Sequence, residues 1–108
     1  MKRLIVLAAA ACLPLALHAA GNADSGKAKA AQVCAACHGP DGNKPSAPDQ
    51  PILAGQHYDY LVRALTDYKI GRRTNAIMKG FAGQLSKQDI EDLAAWFSSQ
   101  KSSLHDQR

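Results

Sequence analysis

The sequence predicts an all-α domain with about three main helices joined by long loops. Three segments, 24–33, 57–70 and 86–100, have the capping residues or the apolar periodicity of helices. Four prolines interrupt the chain between the first two segments. The chain has 108 residues, of which about 88 follow a leader segment, so we expect one domain. Its core is small, and cores of this size often depend on a cofactor.

The first 20 residues have the three parts of a secretory signal peptide. Two bases precede an apolar run from Leu4 to Leu17, and two small residues follow it. We expect cleavage after Ala19 or Ala20 and export to the periplasm. The apolar run is shorter than the roughly 20 residues of a membrane span, so no stable membrane insertion is expected. Lipidation of Cys12 is the weaker alternative, because the apolar run continues beyond it.

The charge of the chain argues against a nucleic-acid partner. The 13 Lys and Arg residues exceed the 9 Asp and Glu residues, for a formal net charge of +4. Removal of Lys2 and Arg3 with the leader would reduce that charge to +2. No long run of bases could follow a phosphate backbone, so we expect no nucleic acid to bind.

The first helix is predicted to begin after Asp24, as N-cap, and to continue through Val33. Gly26 lies in its first turn, where glycine is unfavourable. Either this turn frays or Gly26 permits a close crossing with another helix, and the spacing alone leaves both possibilities open.

Residues 39–56 are predicted to form a long loop, because prolines stand at 40, 45, 48 and 51 and glycines at 39, 42 and 55. Loops of this length in a small domain are usually functional. The second helix is predicted over 57–70, where five residues share one face: Tyr58, Leu61, Val62, Leu65 and Tyr68.

Residues 71–85 are predicted to form a second loop. The last helix begins at Ser86, where Ser86 and Asp89 form a capping box with Asp in place of the usual Glu. Its apolar face contains Ile90, Leu93, Ala94 and Phe97. The polar tail from Lys101 lacks periodicity and is expected to fray.

The pentapeptide at Cys34, Cys37 and His38 is the strongest chemical motif. In C-x-x-C-H the two thiols attach covalently to the vinyl groups of a haem, and the adjoining imidazole binds its iron. A thiol-disulfide motif would lie in a βαβ pattern, and a zinc site would need a second pair of ligands. The sequence has neither, so the motif favours one covalent haem c. Two cysteines used as thioethers also explain an exported chain without a disulfide framework.

Met78 is the only methionine that remains after Met1 is lost with the leader. A methionine in a small protein is often only a gap filler. Its predicted position in a loop, together with a haem iron that has a free sixth position, makes it the candidate second axial ligand. His57 and His105 are the rival ligands, but each is expected to be exposed to solvent.

Four stretches carry a family resemblance: CAACHGPDG at 34–42, PILAGQ at 51–56, GRRTNAIM at 71–78 and LSKQDIEDLAAWFSSQ at 85–100. With them the chain resembles a class I c-type cytochrome, and it is similar to small monohaem cytochromes c-553 and to one domain of cytochrome c4. The single C-x-x-C-H excludes two haems in this chain. The resemblance implies the class I fold over 21–101, followed by a polar tail at 102–108.

The resemblance also implies roles for particular residues. Gly26 would lie where the first and last helices cross, against Leu93 and Trp96. The carbonyl of Pro51 would accept a hydrogen bond from His38, which fixes the ring orientation. Met78 would be the distal iron ligand.

The expected function is electron transfer by a soluble periplasmic monomer, with one electron on a haem ligated by His38 and Met78, and no enzymatic activity. The expected partners are redox proteins. The basic residues Lys69, Arg72, Arg73 and Lys79 are predicted to face an acidic patch on one of them. The alternatives are a haem subunit bound to a periplasmic dehydrogenase or oxidase, and a gas-binding or peroxidatic haem protein.

Overall fold

The predicted all-α class is confirmed by the computed structural model, which describes residues 3–6, 8–9 and 21–104. This part of the chain has no strand. It contains five helices: α1 (Ala23–Val33), α2 (Ala35–His38), α3 (Tyr58–Ile70), α4 (Ala76–Ala82) and α5 (Lys87–Ser99). Within the same residues, no helix has the length and apolar character needed to cross a bilayer. The leader residues Cys12, Ala19 and Ala20, and also His105, lie outside the described residues.

The three main helices begin and end close to their predicted positions. The N-cap of α1 is Asn22, not Asp24, because the Asn22 side chain accepts a hydrogen bond from the backbone N–H of Ser25. Asp24 instead lies in the first turn of α1, where its negative charge interacts favourably with the helix dipole. The predicted capping box of α5 is confirmed. Its hydrogen bond from Ser86 to the Asp89 carboxylate holds the pKa of Asp89 below its usual value.

The prediction of a continuous loop over 71–85 is wrong, because α4 lies within it. The Oδ1 atom of Asn75 caps this helix by accepting hydrogen bonds from the N–H groups of Ile77 and Met78, at 3.1 and 3.0 Å. Only seven residues long, α4 is too short to show a helical period in the sequence, and it includes the poor helix former Gly80. An Asn before an apolar segment is nevertheless a capping signal.

The predicted loop over 39–56 contains no regular element, and it folds back on itself. The carbonyl of Gly42 accepts hydrogen bonds from the N–H groups of Leu53 and Ala54, at 2.9 and 3.3 Å. Gly42 has a φ of 82°, and a Cβ atom there would lie 2.9 Å from the Phe97 ring. Because the N–H of Gly55 donates to the Phe97 carbonyl at 2.9 Å, the loop is also held against α5.

Helices α1 and α5 cross at Gly26, which confirms the close-crossing alternative. A Cβ atom at Gly26 would lie 2.0 Å from the Asp92 carbonyl oxygen and 2.9 Å from the Trp96 Cβ. The buried carboxylate of Asp92 accepts hydrogen bonds from the Asn22 N–H at 2.7 Å and from the Gln88 side chain at 2.8 Å. The start of α1 is therefore tied to the middle of α5.

We expect Gly26→Ala to lower the free energy of unfolding by about 1–3 kcal/mol or more, because the added methyl group would overlap backbone of α5. Gly80→Ala is the matched control: it is also in a helix, and apart from its chain neighbours and the backbone of its own helix no atom lies within 4 Å of the position that its added methyl group would take. That substitution should raise the free energy of unfolding by about 0.5–1 kcal/mol. Denaturant midpoints of the purified proteins measure both effects. Equal midpoints for the two variants would contradict the close crossing.

The core lies between α1, α3 and α5, and its buried residues are few: Ala30, Leu61, Leu85, Ile90, Leu93, Ala94 and Phe97. The chain directly after α5 contacts the 39–56 loop. The Asn43 side chain donates to the Lys101 carbonyl at 2.9 Å and accepts from the Ser103 N–H at 2.7 Å. No regular element forms at residues 101–104, and residues 105–108 lie outside the described part.

Candidate functional site

A cavity of about 350 Å³ opens against the core, and its wall is mostly apolar. Helices α3, α4 and α5, the 39–56 loop and the α1–α2 junction all contribute to it. The core residues Leu61, Leu85, Leu93, Ala94 and Phe97 form part of its wall. The core and the cavity wall thus form one continuous apolar region.

The short helix α2 brings the motif residues onto this wall. The N–H groups of Cys37 and His38 both donate to the Cys34 carbonyl, at 3.2 and 3.0 Å. This single turn places both free thiols and the imidazole along the same cavity. Burial raises the pKa of the Cys34 thiol to about 11, and the nearby Cys37 adds to this effect. The Cys34 thiol is therefore protonated at neutral pH in the folded chain.

The imidazole of His38 is buried and has a defined orientation. Its Nδ1 atom lies 3.0 Å from the carbonyl oxygen of Pro51. A carbonyl can only accept, so this contact requires the proton on Nδ1 and leaves the lone pair of Nε2 available to bind a metal. Backbone hydrogen bonds from Lys44 to His38 at 3.2 Å and from Ser46 to Cys37 at 2.9 Å hold the loop that supplies Pro51.

Met78 lies on α4, not in a loop, and its half-buried side chain lines the same cavity. The Asn75 cap orients the first turn of α4 and thereby positions Met78. His57 is the exposed N-cap of α3 and does not line the cavity. The structure thus brings Cys34, Cys37, His38, Pro51 and Met78 onto one cavity wall.

The four basic residues predicted to face a redox partner, Lys69, Arg72, Arg73 and Lys79, differ in their contacts within the domain. The Lys69 ammonium donates to the Leu85 carbonyl. The guanidinium of Arg73 lies 4.8 Å from the centre of the Tyr68 ring and donates to the Tyr60 hydroxyl at 3.3 Å. The hydrogen bond from Arg73 to Tyr60 raises the pKa of Arg73. Both Lys69 and Arg73 are thus engaged within the domain.

Two residues of this region were not recognised as part of the cavity from the sequence. Asn75 has a sequence signal, since it is a good N-cap before an apolar segment. Arg73 has no sequence signal that would mark it as a cavity residue, because its neighbour Arg72 has the same charge and a similar environment in the sequence. Only the fold separates them, for Arg73 lines the cavity and Arg72 does not.

The residues around the cavity fit a haem. The volume lies in the range of about 300–1,000 Å³ that is typical of ligand sites, and the wall is apolar with few polar groups. A covalent, six-coordinate haem requires two thiols for its thioether bonds, and one imidazole nitrogen and one thioether sulfur as its axial iron ligands. A zinc site is not supported, since no three His, Cys, Asp or Glu side chains converge anywhere in residues 21–104.

Comparisons with known proteins identify similar sequences and structures. The profile of the family described as cytochrome c oxidase, cbb3-type, subunit III matches residues 21–97. Cytochrome c4 from Pseudomonas aeruginosa is 55% identical over 87 residues, which cover 81% of this chain and 42% of that protein. Cytochrome c-554(548) from Halomonas halodenitrificans is 42% identical over 85 residues, which cover 76% of this chain and 100% of that protein.

The structure is also similar to the crystal structure of reduced recombinant cytochrome c4 from Pseudomonas stutzeri. The TM-score is 0.72 at 48% identity, and the match covers 79% of this chain and 48% of that chain. The chain therefore spans less than half the length of these cytochrome c4 relatives, whereas it spans the whole of cytochrome c-554(548).

Proposed function

This chain belongs to the family described as cytochrome c oxidase, cbb3-type, subunit III, a family of class I c-type cytochrome domains, and from this premise we propose that it transfers single electrons on one covalent haem c. The observation that carries the proposal is the placement of two thiols, one oriented imidazole and one thioether along a single apolar cavity. Cys34 and Cys37 would form the thioethers, and His38 and Met78 would be the axial ligands.

The residues of this chain position the ligands and exclude water, and the bound haem iron supplies the one-electron ferric–ferrous couple. Pro51 holds the proton on Nδ1 of His38, so that the lone pair of Nε2 would be the one that binds the iron. Asn75 holds the first turn of α4 and with it Met78. The apolar residues of α3 and α5 keep the wall dry. With its ligands held in place and water excluded, the site would gain and lose an electron with little rearrangement.

A catalytic or gas-binding haem protein is a weaker proposal. Such a protein needs an open sixth position, whereas here the thioether of Met78 lies on the cavity wall and would fill it. No reaction of a substrate is proposed for this chain. A permanent subunit of a dehydrogenase or oxidase is likewise less favoured, because the chain matches the full length of cytochrome c-554(548).

We further propose that the chain acts in the periplasm, with residues 1–20 as a signal peptide and 21–101 as the haem domain, and that it works as a monomer with redox proteins as partners. The side chains of Ile77 and Phe81 on α4 are 68% and 44% exposed and also border the cavity. Arg72 and Lys79 are exposed nearby in the sequence. An apolar contact flanked by bases would suit a brief encounter with an acidic partner.

The proposal is tested with the protein purified from an exporting host that attaches haem to c-type cytochromes. The expected results are one haem per chain that resists acidified-acetone extraction, and an absorption spectrum that changes reversibly between the oxidised and reduced states. Intact mass should equal the mature chain plus one haem. A mature chain without covalent haem, produced beside a control cytochrome that does receive it, would overturn the proposal.

A further inference from the structure

We propose that Gln50 is a positioning residue for the iron ligand His38, because its side chain closes a ring of hydrogen bonds that holds the Pro51 carbonyl against the imidazole. This inference rests on the proposed function, since it concerns the strength of His38 as a donor to a bound haem iron. It assigns a role to a side chain of the 39–56 loop that the set of haem-binding residues leaves unused.

The Gln50 side chain accepts three hydrogen bonds. Its Oε1 atom lies 2.8 Å from both the backbone nitrogen and the Oγ atom of Ser46, and 3.1 Å from the backbone nitrogen of Ala47. A backbone N–H can only donate, so the atom that faces these groups must be the amide oxygen. The Gln50 N–H in turn donates to the Ala47 carbonyl at 3.1 Å. Gln50 therefore closes the turn at 47–50, in which Pro48 has the second position, where proline is favoured.

This turn is joined to the haem motif through Ser46. The Ser46 N–H that donates to Gln50 also donates to the Cys37 carbonyl, at 2.9 Å. Cys37 immediately precedes His38, and Pro51 immediately follows Gln50. The contact of 3.0 Å between His38 Nδ1 and the Pro51 carbonyl oxygen completes the ring. Gln50 thus links the two chain segments that meet at the imidazole.

Few free dihedral angles separate Gln50 from the Pro51 carbonyl. The proline ring holds its own φ near about −65°, and a residue before proline is confined to extended conformations. Besides His38, Gln50 is the only residue within 21–104 whose side chain hydrogen-bonds to the backbone of residues 46–51. The hydrogen bonds of Gln50 therefore determine where the Pro51 carbonyl points.

The direction of this carbonyl affects the iron through His38. A hydrogen bond donated by Nδ1 makes the imidazole a stronger ligand, and a stronger donor favours ferric over ferrous iron. Without the Gln50 side chain, the Pro51 carbonyl would spend more time away from the imidazole. Water would then reach the Nδ1 proton, and the iron would be held by a weaker donor.

The experiment compares the haem-loaded wild type with Gln50→Leu, which removes the acceptor without changing the charge. Proton NMR of the reduced protein in deuterated water measures the exchange of the His38 Nδ1 proton, and a redox titration measures the potential. A typical hydrogen bond changes an equilibrium by about 2- to 10-fold, so exchange in Gln50→Leu should be faster by about 10-fold. Its reduction potential should lie above that of the wild type.

Three further variants separate the hydrogen bonds from other effects. Gln50→Glu keeps an acceptor oxygen at the same reach and should retain slow exchange; its added charge changes the potential, so only the exchange rate is compared. Ser46→Ala removes one of the three donors and should speed exchange by about 2-fold. Gln32→Leu is the matched control, because Gln32 is exposed on α1 and does not line the cavity. It should keep the wild-type exchange rate and potential.

Equal exchange rates for Gln50→Leu and Gln32→Leu would overturn the assignment, and so would exchange in Gln50→Glu as fast as in Gln50→Leu. If the backbone amides of α5 were accelerated by the same factor as the Nδ1 proton, Gln50 would only stabilise the fold, and the positioning role would be wrong. If Gln50→Leu does not accumulate, Ser46→Ala decides in its place, and an exchange rate equal to that of Gln32→Leu would overturn the assignment. Absence of haem from the wild type would instead contradict the proposed function itself.

Discussion

Replacing Cys34 and Cys37 together by serine is expected to abolish accumulation of the folded protein. Serine cannot form the thioethers, so the cavity would lose its covalent filler. Within the described part of the chain the buried apolar residues are few, and Leu93 is the only large side chain that is fully buried. Without this filler, the apolar wall of the cavity of about 350 Å³ would stay in contact with water, and a loss of a few kcal/mol is a large share of the roughly 5–15 kcal/mol stability of a whole domain.

Ala36→Ser is the matched control for the cysteine variant. It adds a hydroxyl within the same motif, on an exposed residue, and leaves both thiols in place. Yield of the mature protein, far-ultraviolet circular dichroism and haem content measure the outcome. We expect the control to resemble the wild type. If the double serine variant accumulated at the wild-type level with full helix content and no haem, the proposed dependence of the fold on the motif would be wrong.

Met78→Ala is expected to keep the covalent haem but to open the sixth position of the iron. Thioether ligation raises haem potentials, so the potential should fall by a sizeable part of the roughly 0.8 V range that axial ligands span. Carbon monoxide should then bind the reduced protein rapidly, whereas it should bind the wild type poorly. Redox titration and rapid-mixing absorbance measure the two effects.

Lys79→Ala is the control for Met78→Ala, because it truncates the next residue of α4, which is exposed and does not line the cavity. We expect its potential and its resistance to carbon monoxide to stay near those of the wild type. If Met78→Ala and Lys79→Ala behaved alike in both measurements, Met78 would not be an axial ligand. The exposed His57 would then have to be examined as the alternative.

The chemistry and the main helices could be predicted from sequence because both depend on residues close together in the chain. The two cysteines and the histidine lie within one helical turn, so their spacing alone places them together. Capping is equally local: the Ser86–Asp89 box correctly predicted where α5 begins. Errors arose where a local signal was weak or had a competitor. The sequence predicts Asp24 as the N-cap of α1, where the structure has Asn22, and the seven-residue α4 is too short to show a period.

Residues far apart in sequence were positioned by tertiary structure alone. By spacing alone Gly26 could have belonged to a frayed turn; the resemblance implied a helix crossing, and its close approach to the backbone of α5 at Asp92 confirms it. Asn43 holds Lys101 and Ser103, across a separation that no local pattern reports. Arg72 and Arg73 have equal charge and adjacent positions, so their sequence signals are the same.

The sequence by itself determined the class, the covalent motif and the main helix boundaries, since short-range hydrogen bonding and side-chain periodicity carry that information. The tertiary structure decided which of two arginines contacts Tyr60 and Tyr68. The physical reason is that the direction of a side chain depends on the packing of α3, α4 and the 39–56 loop around the cavity. Such packing is a property of the whole fold, and no single segment encodes it.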